Sequence, residues 1–456
     1  MLLTTANCFS SSSLLLPSLS RKPIFLFSKK PRVSSWVSSR NRSSRLCRAS
    51  LITSPDSFEV GRLIGSYGFM NVTSYSGFQA GADFEYSSGD LGQLRVQDVG
   101  EGSVKIRLYE GRIAKGPFKG TPVIFKVYPG QRAGGIEADM MAANELNAHA
   151  FLQNSSEGIS KNLLLLLGGF ETKTGEQWLA FRGDGKYSAA DFAKVTSEKI
   201  SRARSLEEMS WNPFEREQAF KRKAYFVVKL FQGAMSGLAY MHNYDRLHQS
   251  LDLLLLFSSI LFDSIHLKSG FILLKRQIGL LCSFQSLINI LLTDGSTIVE
   301  RDAAYLVPRL RDLAFSVDIR FSYLEEGPKT FSEDLWRRAS SAGAFTPMER
   351  RAFGIADDIY EAGLLFAYLA FVPFCEAGIM DSLSLQRLLE STFKLDLTAT
   401  REYCLADDRL LEAVKFLDLG DGAGWELLQA MLNPDFRKRP IAEAVVNHRF
   451  MTANVL

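Results

Sequence analysis

The sequence predicts an α+β fold in two parts, a smaller strand-rich part followed by a larger helical one. Residues 51–130 are rich in Gly, Val, Tyr and Phe. They contain alternating stretches such as Val104-Lys105-Ile106-Arg107-Leu108-Tyr109, the two-residue period of antiparallel strands. From Glu215 onward the apolar spacing is mostly helical, with Lys223–His242 a long amphipathic stretch. A Gly-containing segment near Arg182–Tyr187 joins the two parts.

Within the first part, residues 133–153 carry Ala, Met, Glu and Leu at helical spacing. Leu163–Leu167 and Trp178-Leu179-Ala180-Phe181 are short apolar runs that suit strands. The chain of 456 residues is 46% hydrophobic and 23% charged, an ordinary globular composition with room for two lobes. No internal repeat is present.

Charge is unevenly placed. The first acidic residue is Asp56, and nine of the 53 Lys and Arg precede it, leaving 44 basic against 50 acidic residues in the body. No basic face for nucleic acid follows, and nucleic acid is not expected as a partner. Residues 1–49 are basic, Ser-rich and acid-free, the composition of an organelle transit peptide. They open on an uncharged stretch, Met1 to Ser20, and Arg comes only later. That order favours the chloroplast over the mitochondrion, with a processing site near Leu46-Cys47-Arg48-Ala49-Ser50. Five cysteines, with no CxxC pair and no His at metal spacing, give neither a disulfide framework nor a zinc site.

Residues 252–288 stand apart. Leu, Ile, Phe and Ser fill 26 of these 37 positions, and Ala, Val, Glu, Pro, Thr and Asn are absent. The apolar pieces Leu253–Phe262 and Phe271–Leu274 are each too short for a membrane span, which takes about 20 apolar residues. A membrane-surface helix pair, and with it thylakoid association, is a reading that nothing else in the sequence supports.

The C-terminal run Leu427-Leu428-Gln429-Ala430-Met431-Leu432-Asn433-Pro434-Asp435-Phe436-Arg437-Lys438-Arg439-Pro440, followed by His448-Arg449-Phe450, is similar to the closing helices of a protein kinase, and several further motifs resemble the same superfamily, serine/threonine type. There the family Arg, here Arg439, pairs with a glutamate ending the activation segment. Glu349, in Thr346-Pro347-Met348-Glu349, is similar to that glutamate. Asp358-Ile359-Tyr360-Glu361-Ala362-Gly363 resembles the start of the central buried helix, whose aspartate holds the catalytic-loop backbone. The apolar run Leu364–Phe374 continues that helix.

Upstream, Lys126 in Pro122-Val123-Ile124-Phe125-Lys126-Val127 is similar to the strand lysine that contacts the α- and β-phosphates of ATP. Glu145 lies at the distance expected of its ion-pair partner on the following helix, and Glu137 is a weaker candidate. His248-Gln249-Ser250-Leu251 resembles the catalytic loop His-Arg-Asp-Leu. His248 is kept, Gln249 stands where an arginine docks a phosphorylated activation loop, and Ser250 stands where an aspartate handles the substrate hydroxyl proton. A serine hydroxyl is uncharged at neutral pH and a poor base.

The magnesium-binding asparagine of the family corresponds to Asn289. Three residues are expected between Leu251 and it, so the chain carries a 34-residue insertion, residues 252–285, inside the catalytic loop. Its bias toward residues with uridine-rich codons suggests a translated retained intron, an idea excluded if every mature message encodes the stretch. Asp312-Leu313-Ala314-Phe315 resembles the Asp-Phe-Gly motif with Ala in place of Gly, and Asp312 is the expected metal ligand. For the phosphate-covering loop two segments compete. Phe58–Val72 keeps Gly65 but has Tyr67 and Met70 at the other glycine positions, and Gly100-Glu101-Gly102 lacks the third Gly. Glycine matters there because backbone N–H groups must approach phosphate closely.

The resemblance covers residues 58–451, with an N-lobe 58–181 and a C-lobe 187–451. It implies a two-lobed kinase-like fold, ATP and Mg2+ as cofactors, and a protein substrate or a regulated partner protein. Three functions fit: a chloroplast pseudokinase in stroma or at the thylakoid, an active serine/threonine kinase with an unusual base, and a non-productive intron-retaining isoform.

Overall fold

A computed structural model describes residues 51–69, 104–155, 160–183, 187–205, 213–249, 256–259, 290–293, 306–325 and 332–452. Five strands build the N-lobe in chain order: β1 (Phe58–Phe69), β2 (Val104–Ile113), β3 (Pro122–Tyr128), β4 (Leu166–Glu171) and β5 (Gln177–Arg182). They form an antiparallel sheet in the order β4-β5-β3-β2-β1. One helix, α1 (Gln131–Asn154), interrupts the strands.

The period of β3 sets the lobe's two faces. Val123, Phe125 and Val127 are buried on one face with Phe58, Ile113 and Ala180. Phe125 packs edge-on to Phe58 and to Trp178, and Phe170 stacks on Trp178 at 5.5 Å. The alternate residues, Lys126 and Tyr128, fall on the other face. Tyr128 is buried there with Ala138, Met141 and Ala142 of α1. Alternation in β3 and the four-residue repeat of α1 thus aim Lys126 and Glu145 at one another.

The C-lobe is mostly helical. It opens with β6 (Tyr187–Ser188), α2 (Ala189–Ser205), α3 (Pro213–Asn243) and β7 (Arg246–Leu247). Four short strands follow: β8 (Leu256–Ser259), β9 (Ile290–Thr293), β10 (Val307–Leu310) and β11 (Val317–Asp318). The remaining helices are α4 (Phe321–Glu325), α5 (Glu333–Ser341), α6 (Pro347–Phe371), α7 (Ser382–Gln386), α8 (Leu397–Leu405), α9 (Leu411–Leu417), α10 (Leu419–Met431), α11 (Ala442–Val446) and α12 (Arg449–Thr452). Strands β6, β9 and β10 form one small sheet, and β7 pairs with β11 in another. The backbone of β8, which lies in the Leu-, Ile-, Phe- and Ser-rich stretch 252–288, pairs antiparallel with residues 66–69 at the end of β1.

Helix α6 is the centre of this lobe. Phe366 is fully buried between Phe231 of α3, stacked at 4.9 Å, and Phe450 of α12, edge-on at 5.5 Å. Truncating such a side chain to Ala costs about 3–5 kcal/mol. Gly363 lets α10 approach, since a Cβ there would meet the Leu432 side chain at 2.8 Å.

Three boundaries differ from the sequence expectation. The long helix expected over Lys223–His242 begins ten residues earlier, at Pro213. The helix expected to begin at Asp358 begins at Pro347, so Asp358 is an interior residue. The strand expected over Leu163–Leu167 is displaced to Leu166–Glu171, with Leu163 in a lone bridge to Leu310. Among the described residues no helix is long and apolar enough to cross a membrane.

Candidate active site

Between the lobes, Lys126 of β3 is 3% exposed and held by two carboxylates. Its Nζ lies 2.8 Å from Glu145 Oε2 of α1 and donates to Asp312 Oδ1. A buried ammonium costs several kcal/mol in lost hydration, so a close pair of carboxylates is what permits it there. Burial pushes the Glu145 carboxyl's pKa up, against the opposing pull of the Lys126 charge. Tyr128, two residues beyond Lys126 on the same face, donates its hydroxyl to Glu145 Oε2. His149, one turn beyond Glu145, places Nε2 4.0 Å from Glu145 Oε1. Burial, then the Lys126 charge, lowers the His149 pKa to about 3, so the ring is neutral.

Asp312 sits in the left-handed region at φ 63°, ψ 60°, where Asp is better tolerated than most residues. A single 3-10 turn, Leu313–Phe315, follows it, with Leu313 and Ala314 fully buried. Arg311 Nε reaches Asp312 Oδ2 at 3.3 Å. The Asn144 side-chain amide of α1 donates to Ala314 O at 2.7 Å and Ser316 O at 2.9 Å.

Below the cleft, Asp358 organises the chain at His242, His248 and Gln249. Its carboxylate accepts the backbone N–H groups of His248 at 2.8 Å and Gln249 at 3.0 Å, and it pairs with His242 Nε2 at 2.9 Å. His248 Nε2 donates to Arg311 O at 3.0 Å, which ties that loop to the Asp312 turn. Burial lowers the His248 pKa. Gln249, at φ 52°, turns its amide inward to Asp358 Oδ1 at 3.1 Å and Asp357 Oδ2 at 3.4 Å. Asp357 Oδ1 in turn accepts from Arg338 of α5 at 2.5 Å. The segment between Asp312 and α6 is therefore tied to α6 through Arg338 and Asp357.

One expected pairing is corrected. Glu349 and Arg439 form no ion pair among the described residues. Glu349 is the third residue of α6 and completes a capping box with Thr346, accepting the Phe345 and Thr346 N–H groups at 3.0 Å each. Those backbone bonds hold its carboxyl below the usual range. Arg439 donates instead to Asn433 O at 2.7 Å and Ala356 O at 3.0 Å, and covers the Tyr360 ring at 4.6 Å. It still fastens α6 to the 433–440 turn, through carbonyls rather than a carboxylate.

Gly65 also sits differently from a loop glycine. It lies inside β1 opposite Leu108, and the strand runs on to Phe69, which faces Val104. The turn between β1 and β2 falls within residues 70–103, outside the described residues, as do Gly100-Glu101-Gly102, Ser250, Asn289 and the insertion apart from β8. Glu137, the weaker partner candidate, lies half-buried in α1, and it is Glu145 that meets Lys126.

Sequence reading missed Tyr128, His149, Asn144, Asp357 and Arg338. Spacing could have found the first two, one at i+2 on a strand and the other at i+4 on a helix. No local signal marks the others.

No protein-family model matches the chain, and no curated protein sequence matches it. Solved structures do match. The crystal structure of an Stt7 homolog from Micromonas algae soaked with ATP shares 16% identity, covers 92% of this chain and 99% of its own, and has a TM-score of 0.49. A five-stranded lobe with one helix, a helical lobe around a buried central helix, and a Lys–Glu–Asp cluster between them make this a two-lobed protein-kinase-like fold.

Proposed function

We propose that the chain is a chloroplast pseudokinase that binds a nucleotide or a partner protein and transfers phosphate weakly or not at all. The observation that carries this reading is an asymmetry across the cleft. The groups that would handle ATP phosphates, Lys126, Glu145 and Asp312, are assembled in contact. The loop that would handle the acceptor hydroxyl has Gln249 turned inward onto Asp358, and Ser250 follows it where a base is needed.

Asp312 and Asn289 would hold Mg2+. A carboxylate oxygen and an amide oxygen are the hard donors this ion prefers, and Asp312 already lies against Lys126 at the cleft. The ion would neutralise charge on the nucleotide phosphates. The basic, acid-free leader supports delivery to the plastid, in stroma or at the thylakoid.

A second reading, an active serine/threonine kinase, is favoured by the same Lys126–Glu145–Asp312 cluster, because phosphoryl transfer depends mainly on positioning and electrostatics. A third, a non-productive isoform, draws on the insertion, whose β8 pairs with the end of β1.

Thermal melting with and without Mg-ATP, on the full chain and on protein lacking residues 252–285, separates the three. The expected result is a rise in Tm with Mg-ATP, lost in Lys126→Met, with no radiolabel transferred to a generic acceptor protein. Transfer that Asp312→Ala abolishes overturns the pseudokinase in favour of the kinase. A rise confined to the shortened protein supports the non-productive isoform, and no rise in either removes nucleotide binding.

A further inference from the structure

We infer that Asn144 is a positioning residue. By bridging the carbonyls of Ala314 and Ser316, it fastens the Asp312 turn to α1 and keeps the Asp312 carboxylate aimed at Lys126.

Within the Asp312 turn one backbone bond closes the 3-10 segment, Ser316 N–H to Leu313 O at 3.1 Å, with the poorer geometry of that helix type. His248 Nε2 holds the chain just before it, at Arg311 O, and nothing in that bond reaches residues 314–316. Apolar burial of Leu313 and Ala314 fixes the turn's depth, but burial is non-directional and does not fix its rotation. Rotation decides whether Asp312 faces Lys126 or swings away. Two hydrogen bonds from one side-chain amide, to carbonyls two residues apart, do fix it.

The donor count supports the assignment. A primary amide carries two N–H groups, and each finds one carbonyl here, at 2.7 and 2.9 Å. Asparagine is a poor choice for the interior of a long helix, because its side chain competes for backbone bonds. Within α1 it spends its donors on another element. Its place beside Glu145 means that α1 reaches Lys126 with one residue and the Asp312 turn with the next. Displacing α1 would thus release the Lys126 pair and the turn together.

The effect on nucleotide binding rests on the reading given under Proposed function; the clamp itself does not. The test uses the full chain and the variants Asn144→Leu, which removes both donors, Asn144→Asp, which sets an acceptor against two carbonyls, and the milder Asn144→Ser. Hydrogen exchange of residues 313–316 is read without nucleotide, with residues 359–371 of α6 as an internal control for folding. Affinities for Mg-ATP, for ATP in EDTA and for adenosine are measured alongside.

Exchange at 313–316 should accelerate roughly ten-fold in Asn144→Leu and at least as much in Asn144→Asp, the scale of one or two lost hydrogen bonds, while α6 is unchanged. Mg-ATP affinity should fall by about the same factor, with adenosine affinity unaltered. Unchanged exchange at 313–316 overturns the inference, as does acceleration in α6 to the same degree in all three variants. A parallel loss of adenosine affinity also overturns it, since that marks general damage to the cleft. Should the unaltered chain fail to bind Mg-ATP, nucleotide binding is lost and hydrogen exchange alone decides on Asn144.

Discussion

Asp358 accepts the backbone N–H of His248 at 2.8 Å, from a position with no solvent exposure. Burial works to raise the carboxyl's pKa. The His242 bond, then the His242 and His248 charges and the His248 N–H, outweigh it and hold the group below the usual range. Every neighbour of this carboxylate is a donor. Asp358→Asn places an NH2 among them and leaves at least one donor buried without an acceptor, at about 2–4 kcal/mol. Urea unfolding should show that loss, and a change under 1 kcal/mol would mean the loop is held by other contacts.

Lys126 offers a second test, because its role in folding is separable from any role in binding. Removing the ammonium leaves Glu145 and Asp312 facing one another without their shared cation. Lys126→Met is expected to destabilise the chain by about 3–5 kcal/mol, the cost of breaking a buried pair by deleting one member. Adding Glu145→Leu should restore part of that loss, because it removes one of the stranded charges. Calorimetric melting of the single and double variants reads this directly, and simple additivity would reject it.

Much of the cleft was legible because its signals are local. Two-residue alternation in β3 and the helical spacing of 133–153 aim Lys126 and Glu145 at each other, whatever lies between them. The start of α6 was read too late because the motif that placed it opens at Asp358, whereas the capping box at Thr346 starts the helix at Pro347. Asp357 and Asp358 lie in the interior instead, where Arg338, His242 and the His248 backbone satisfy them. Tie partners on distant segments leave no trace in local spacing, and Arg338 and Asn144 went unseen for that reason. Glu349 was misassigned because Thr346-Pro347-Met348-Glu349 carries a second meaning. Thr followed three residues later by Glu is also a capping box, and the exposed helix end claims the carboxylate.

That reassignment yields a double-mutant cycle. Glu349→Ala should cost about 1 kcal/mol through lost capping. Coupling between Glu349 and Thr346 should be measurable, whereas coupling between Glu349 and Arg439 should lie within about 0.5 kcal/mol of zero, as for sites that share no partner. Chemical denaturation of the four proteins in each cycle decides it. A Glu349–Arg439 coupling above 1 kcal/mol would restore the ion pair.

The His149 ring predicts how stability depends on pH. Its pKa in the folded chain is about 3, against 6.5 for an ordinary histidine. Between those values the unfolded chain binds a proton that the folded chain does not, so stability must fall as pH drops below about 6.5. At pH 5 the loss amounts to about 2 kcal/mol at 1.36 kcal/mol per unit. Other groups face this ring: Lys126 of β3 and His248 oppose its protonation, and Asp312 favours it. Glu145, with a raised pKa, acts in the opposite sense, because above its ordinary value the folded chain keeps the proton longer than the unfolded one. His149→Leu keeps the apolar contact with Phe181, whose ring lies edge-on at 5.0 Å, and deletes the titration. Unfolding free energies at pH 7 and pH 5 should therefore differ less in His149→Leu than in the unaltered chain, by about 2 kcal/mol. Equal losses in both proteins would place the acid sensitivity elsewhere, with His248 the next group to replace.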